Sequence, residues 1–225
     1  MGELVLGFDA DDTLWHNETA FNLTQGRFIA LFGDCASREH LLTVELRNYG
    51  YGVKSFTLSM IETALELAGE AIAAHVVAEM LEIGRAMLEH PFEPLPAVRE
   101  TLKRLTEAHV LVLITKGDLM DQENKLAQSG LGDFFDGVEI VSEKIAATYS
   151  RAFARHGATQ GEAEMIGNSV RSDIIPAIEA GFFGVHIPHA LTWAHELAEA
   201  PTDSPLYVHL ASIAEAPDWI ATLGA

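Results

Sequence analysis

The chain has 225 residues, of which 48% are hydrophobic and 21% charged, so it can fill a sizeable core and wholesale disorder is excluded. A formal net charge of −19 repels nucleic acid and anionic membrane, so neither is an expected partner, and any phosphate site must be locally cationic. The single cysteine, Cys35, excludes an internal disulfide framework and a cysteine zinc cluster; with no run long enough to span a bilayer and Glu3 where a signal peptide would be basic, a cytoplasmic protein is expected.

The first element is Leu4-Val5-Leu6-Gly7-Phe8, an apolar run of strand length that ends in Asp9, Asp11 and Asp12. A continuous apolar run closed by a turn reads as a buried parallel strand. Acids just beyond it sit at the carboxyl end, where open α/β sheets bind ligands. Asp9 and Asp11 are two apart and leave an extended backbone on the same side. Two close carboxylates either repel, raising one pKa, or share a cation.

Residues 16–92 then read as helices. Phe21, Phe28, Ile29 and Phe32 have helical spacing, with Gly33 as a stop. Ser37 is a plausible N-cap for a second helix. Asn48-Tyr49-Gly50-Tyr51-Gly52 is a turn, and two further helices are predicted around Leu58–Leu67 and Ala71–Leu88. Pro91, Pro94 and Pro96 mark a boundary. From Pro96 the pattern alternates: a helix at Val98–Ala108, a strand at Val110–Ile114, a helix at Leu119–Ser129, a strand at Gly137–Val141, a helix at Ala146–His156, a strand at Glu164–Ile166, a helix at Ser172–Ala180, and a strand at Phe183–Ile187. A short strand at Leu206–Leu210 and a helix near Ile213–Leu223 complete it. Such alternation predicts an α/β fold with a doubly wound parallel sheet. The expected division is a Rossmann-like core of residues 1–15 and 93–225 carrying a small helical lobe of residues 16–92.

Polar residues fall at successive strand ends: Asp9 and Asp11, then Thr115, then Lys144, then Asn168 and Asp173. In a parallel sheet these ends share one edge, so the residues are expected to converge on one pocket. Each alone has an ordinary explanation, such as a helix cap for Thr115, a solvated loop lysine for Lys144 or a first-turn acid for Asp173; the joint order does not. That order resembles the haloacid dehalogenase-like hydrolase superfamily. Asp9-Ala10-Asp11-Asp12-Thr13 resembles its first motif, DxDxT, and Ile114-Thr115 its second. Lys144 looks like the third, and Gly167-Asn168-Ser169-Val170-Arg171-Ser172-Asp173 the fourth, usually GDxxxxD. The helical insertion is similar to the family's small helical cap.

The resemblance implies a Mg²⁺-dependent hydrolase acting on a small phosphorylated metabolite. Asp9 would be the nucleophile and a metal ligand. Asp11 would be the general acid and base, with its main-chain carbonyl on the metal. Thr115 and Lys144 would complete the catalytic set; they and Lys116 would bind substrate, and Asn168 and Asp173 would join the metal ligands. A dehalogenase of the same superfamily is the first alternative, opposed by Asp11, since halide leaves without a proton. A non-catalytic binding protein on the same fold is the second, suggested by Asn168, which stands where the family usually has aspartate. An amide oxygen can still ligate Mg²⁺ but brings no charge. The ten histidines, His186, His189 and His195 among them, show no metal-binding spacing. Tyr51, Lys54 and Phe56 form a mixed aromatic and cationic cluster that could meet substrate, with a hinge or packing role at least as well supported.

Overall fold

A computed structural model describes residues 3–32, 37–69, 72–191 and 196–223; Gly33, Cys35, Ala71 and His195 lie outside the described residues. In chain order the elements are β1 (Val5–Phe8), α1 (Glu18–Phe32), α2 (Arg38–Asn48), α3 (Val53–Ala68), α4 (Ala74–Leu88), α5 (Val98–Leu105), β2 (Val110–Lys116), α6 (Leu119–Ser129), β3 (Gly137–Val141), α7 (Ala146–Arg155), β4 (Ala163–Gly167), α8 (Ile175–Glu179), β5 (Phe183–His186), β6 (Tyr207–His209) and α9 (Ala216–Leu223). All strand pairings are parallel, in the order β3-β2-β1-β4-β5-β6. The doubly wound α/β sheet expected from the alternating pattern is therefore present. Among the described residues no helix is long and apolar enough to cross a membrane.

The apolar content of β1 has a direct cause: the strand is central and covered on both faces. Leu6 and Phe8 join Leu111, Leu113, Ile166 and Val185 under α5 and α9. Val5 joins Val112, Ile114, Ala163 and Met165 under Tyr149 and Phe153 of α7. Gly7 lies between them because a Cβ there would stand 2.9 Å from the Phe153 ring, closer than carbon atoms pack.

Two predicted helices change form at prolines. The stretch Ser172–Ala180 is not one helix: Val170–Ile174 makes a wide π-helical turn and α8 begins only at Ile175. Pro176 has no N–H to donate back to Ser172. That carbonyl instead accepts the Tyr149 hydroxyl at 2.8 Å. Near the C-terminus, Ile213–Glu215 is a 3₁₀ turn and α9 starts at Ala216, with Pro217 in its first turn.

The chain divides into two compact units. One comprises Met1–Glu18, Phe92–Lys116 and Lys125–Ala225 and contains the sheet. Within it the segments entering and leaving the insertion are tied together, Leu95 N–H donating to Leu14 O at 2.8 Å beside a Trp15–Pro94 bridge. The other comprises Thr19–Pro91 and Gly117–Asn124 and has its own core of Phe28, Leu41, Val53, Phe56, Met60, Met80, Ile83 and Met87. Gly117–Asn124 belongs with these helices partly through the Lys54–Asp118 ion pair, 2.9 Å long.

Candidate active site

The strand order creates the site. From β1 the chain winds outward through β2 and β3, then returns to the other side of β1 for β4 and β5. The crevice at such a reversal, outside the carboxyl ends of the strands, is where open α/β sheets hold ligands. Asp9 follows β1 and Asn168 follows β4, the two strands that flank the reversal. Thr115 is the penultimate residue of β2, and Lys144 lies just past β3.

Lys144 is the hub. Its ammonium is 3% exposed, donates to Asp9 Oδ1 and lies 2.7 Å from Asp173 Oδ1. Burial alone would strip its proton, but the carboxylates of Asp173 and Asp9 overcome this and hold it charged, its pKa raised. Burial also pushes the Asp9 carboxyl upward, and the charge on Asp173 adds to this while Lys144 opposes it. Two buried carboxylates thus face one ammonium.

Thr13 explains the last letter of the first motif. Its hydroxyl contacts Asp9 Oδ2 at 3.0 Å and Asn168 Oδ1 at 3.2 Å, and accepts the Asn168 N–H at 3.1 Å. An anionic and an amide oxygen therefore converge at one hydroxyl, both at the switch point. Hard oxygen donors beside an under-neutralised carboxylate fit Mg²⁺. Asp9, the Asp11 carbonyl and Asn168 are the residues that would hold it. Asp173 is placed differently from the others: fully buried, it gives Oδ1 to Lys144 and Oδ2 to the Ser169 N–H at 2.9 Å. The glycine of the fourth motif makes this possible, since a Cβ on Gly167 would fall 2.3 Å from Asp173 Oδ2.

Asp11 has partners that the linear pattern did not reveal. Lys125 of α6, 2% exposed, donates to both its carboxylate oxygens at 3.1 Å. The Trp15 indole donates to Oδ1 at 2.8 Å. Lys125 also reaches Asn17 Oδ1 at 2.8 Å and lies over the Phe92 ring, 5.3 Å from its centroid. A lysine on an amphipathic helix reads as solvated, so nothing local distinguished it.

Lys116 is turned toward a residue that sequence reasoning missed, Glu196, at 2.8 Å, and toward Ser172 Oγ at 3.2 Å. Glu196 also accepts the hydroxyls of Ser169, at 2.6 Å, and Ser172. Burial would raise this carboxyl, but the Lys116 charge and these donors outweigh it and hold it at about 2. In the helical unit Lys54 is paired with Asp118, and Phe56 is fully buried against Phe21, which is the packing role weighed for this cluster beside substrate contact.

With this geometry in place, residues 5–181 match the family model for haloacid dehalogenase-like hydrolases, and the chain belongs to that family. It is a hydrolase of the superfamily on a Rossmann-like core. A haloacid dehalogenase-like family hydrolase from Xanthomonas campestris is similar over 99% of this chain and 96% of its own, at 37% identity and a TM-score of 0.87. The fold is shared with a 2-haloacid dehalogenase from Pseudomonas syringae pv. Tomato DC3000, at 20% identity, TM-score 0.67 and 99% coverage of both chains. It is also shared with a predicted phosphoglycolate phosphatase from Haemophilus somnus 129pt, at 17% identity and TM-score 0.68, covering 97% of this chain and 98% of that one. No curated protein matches the chain.

Proposed function

We propose that this hydrolase is a Mg²⁺-dependent phosphatase of a small phosphorylated metabolite, working through an aspartyl-phosphate on Asp9. The observation that carries this reading is Asp11: a second carboxylate, two residues beyond Asp9, 23% exposed and gripped by Lys125 and Trp15. Displacing an alkoxide requires a proton donor at the leaving oxygen, whereas displacing a halide does not. An oriented carboxyl beside the nucleophile is therefore what a phosphatase needs and a dehalogenase can omit. General acid–base help of this kind is worth roughly 10²–10⁴-fold.

The reaction runs in two displacements. An Asp9 oxygen attacks phosphorus, the ester P–O bond breaks, and Asp11, which must first leave its ion pair with Lys125 and take up a proton, passes that proton to the leaving oxygen. Asp11, now a carboxylate, takes a proton from water as its oxygen attacks the same phosphorus; the Asp9–phosphorus bond breaks and inorganic phosphate leaves. Thr115 hydrogen-bonds a phosphoryl oxygen, and Lys144 keeps Asp9 oriented while offsetting the charge that nucleophile and phosphate bring together. Bound Mg²⁺ supplies a further positive charge for the phosphoryl oxygens. The net charge of −19 makes nucleic acid and anionic membrane poor partners.

Turnover of a generic aryl phosphate with Mg²⁺, abolished by EDTA, is the expected result, and Asp9→Asn is expected to bring it below detection in a folded protein. Halide release from a 2-chloro acid without phosphate release would replace this reading with the dehalogenase one.

A further inference from the structure

Three residues far apart in sequence meet beside the catalytic turn, outside the set assigned above. Asp12, His16 and His189 each offer one ligand atom, and these atoms all lie within 4.8 Å of one another. All three belong to the sheet-bearing unit. From these positions we infer a second metal site, for a borderline divalent transition metal of the Zn²⁺ and Co²⁺ class, formed by the Asp12 carboxylate and one ring nitrogen each of His16 and His189.

The chemistry distinguishes it from the Mg²⁺ position. Imidazole nitrogen is a ligand for zinc, cobalt, nickel and copper, whereas Mg²⁺ takes oxygen. Two imidazoles and a carboxylate hold three positions of a tetrahedral ion and leave one open. The spacing suits an ion better than direct contact. His189 Nδ1 stands 3.7 Å from Asp12 Oδ1, too far for a hydrogen bond, and is held instead by the Leu191 carbonyl at 2.8 Å, so the ion would take this ring through Nε2, the other nitrogen being fixed by the main chain as in many metal-bound histidines. The His16 and His189 rings are tilted at 59° with centroids 5.7 Å apart, so they do not stack face to face. Atoms bound to one metal at about 2 Å sit roughly 3–4 Å from each other, so a small closing movement completes the set.

The carboxylate is already fixed in place. Asp12 is 8% exposed and takes the N–H of Asn17 at 2.8 Å and of Glu18 at 3.1 Å. Metal-bound carboxylates are commonly oriented by hydrogen bonds of this kind. An exposed His16 and a half-buried His189 leave a route for the ion from solvent. An ion there pins the turn that carries Asp11, joining its far end at His16 to the loop after β5 at His189.

The inference does not depend on the phosphatase reading, and its test needs no turnover. The full chain is titrated with Co²⁺ in saturating Mg²⁺, following visible absorption, with Zn²⁺ added afterwards. The expected result is uptake of one equivalent with an absorption band of nitrogen-containing ligation, displaced by Zn²⁺. Affinity is expected to fall at least roughly tenfold in His16→Ala and in His189→Ala, and to persist in Asp9→Asn. Circular dichroism of each variant checks that it is folded. Absence of uptake, uptake unchanged in both histidine variants, or uptake lost in Asp9→Asn would each overturn the second site, the last by assigning the ion to the Mg²⁺ position.

Discussion

At the scale of single residues, Asn168 sets the character of the proposed Mg²⁺ site. Its Oδ1 and Asp9 Oδ2 share the Thr13 hydroxyl, so the amide lies where the family's usual aspartate would add a charge. Asp173, the other acid proposed for the ion, gives Oδ1 to Lys144 and Oδ2 to the Ser169 N–H, so any share it takes in the metal competes with those partners. A second anionic ligand strengthens Mg²⁺ binding, while also repelling phosphate; direct contact outweighs the more distant repulsion. Asn168→Asp is therefore expected to lower the Mg²⁺ concentration for half-maximal activity, read from a metal titration of both proteins at fixed substrate. An unchanged or higher requirement would remove Asn168 from the ligand set. A different residue, Glu164, governs a pH dependence of stability. It is 2% exposed in β4, and among the described residues its Oε2 makes no hydrogen bond. Burial raises its carboxyl to about 8. The folded chain thus holds this proton more tightly than the unfolded chain, whose carboxyl has an ordinary value of 4.5. Stability from this group is fully present below the ordinary value and is lost as pH rises through about 8. Glu164→Gln, which carries no charge to bury, is expected to flatten that slope and to gain up to about 5 kcal/mol over the parent at high pH. Urea melts of both proteins across this pH range measure the difference, and parallel slopes would show that Glu164 is not its source.

At the scale of elements, the turn from β4 into α8 does more than connect them. Gly167 admits Asp173, Pro176 opens the helix at Ser172, and Tyr149 closes the gap with its hydroxyl. Burial raises the Tyr149 pKa well above its ordinary value, which keeps that hydroxyl a donor. The wide turn carries Asp173 back to Lys144, and Lys144 in turn orients Asp9. Gly167→Ala is expected to displace Asp173, lower kcat by roughly tenfold or more and cost about 1–3 kcal/mol of stability through overpacking. Steady-state kinetics and thermal melts check both, and full activity would mean that Lys144 holds Asp9 without help from Asp173. Helices such as α5 and α7 were legible because each has an apolar stripe to bury. Helix boundaries were not, where Pro176 and Pro217 changed the hydrogen-bonding pattern inside an otherwise helical sequence.

At the scale of the whole molecule, the net charge of −19 opposes the approach of the phosphorylated substrate proposed above. This repulsion acts at long range and is screened by salt over about 10 Å at 0.1 M. At saturating Mg²⁺, kcat/KM for a dianionic phosphate ester is expected to rise about two- to tenfold between low and physiological ionic strength, with kcat unchanged. A stopped or continuous phosphate-release assay across a KCl series tests this. A falling kcat/KM would show that the local cations Lys144 and Lys116 dominate the encounter instead.

By itself the sequence determined the sheet and the family motifs. Buried strands must be apolar and helices must carry a stripe, so β1, β2 and the alternation after Pro96 are written in local pattern, and Asp9, Thr115, Lys144 and Asn168 stand at strand ends that any parallel sheet brings to one edge. Only the tertiary structure decided who holds whom. Lys125 on Asp11, Glu196 on Lys116, and His16 with His189 around Asp12 join positions distant in the chain. Each of these residues looks locally like an ordinary surface lysine, acid or histidine. Pairing between charged side chains depends on distance after folding, and periodicity carries no information about it.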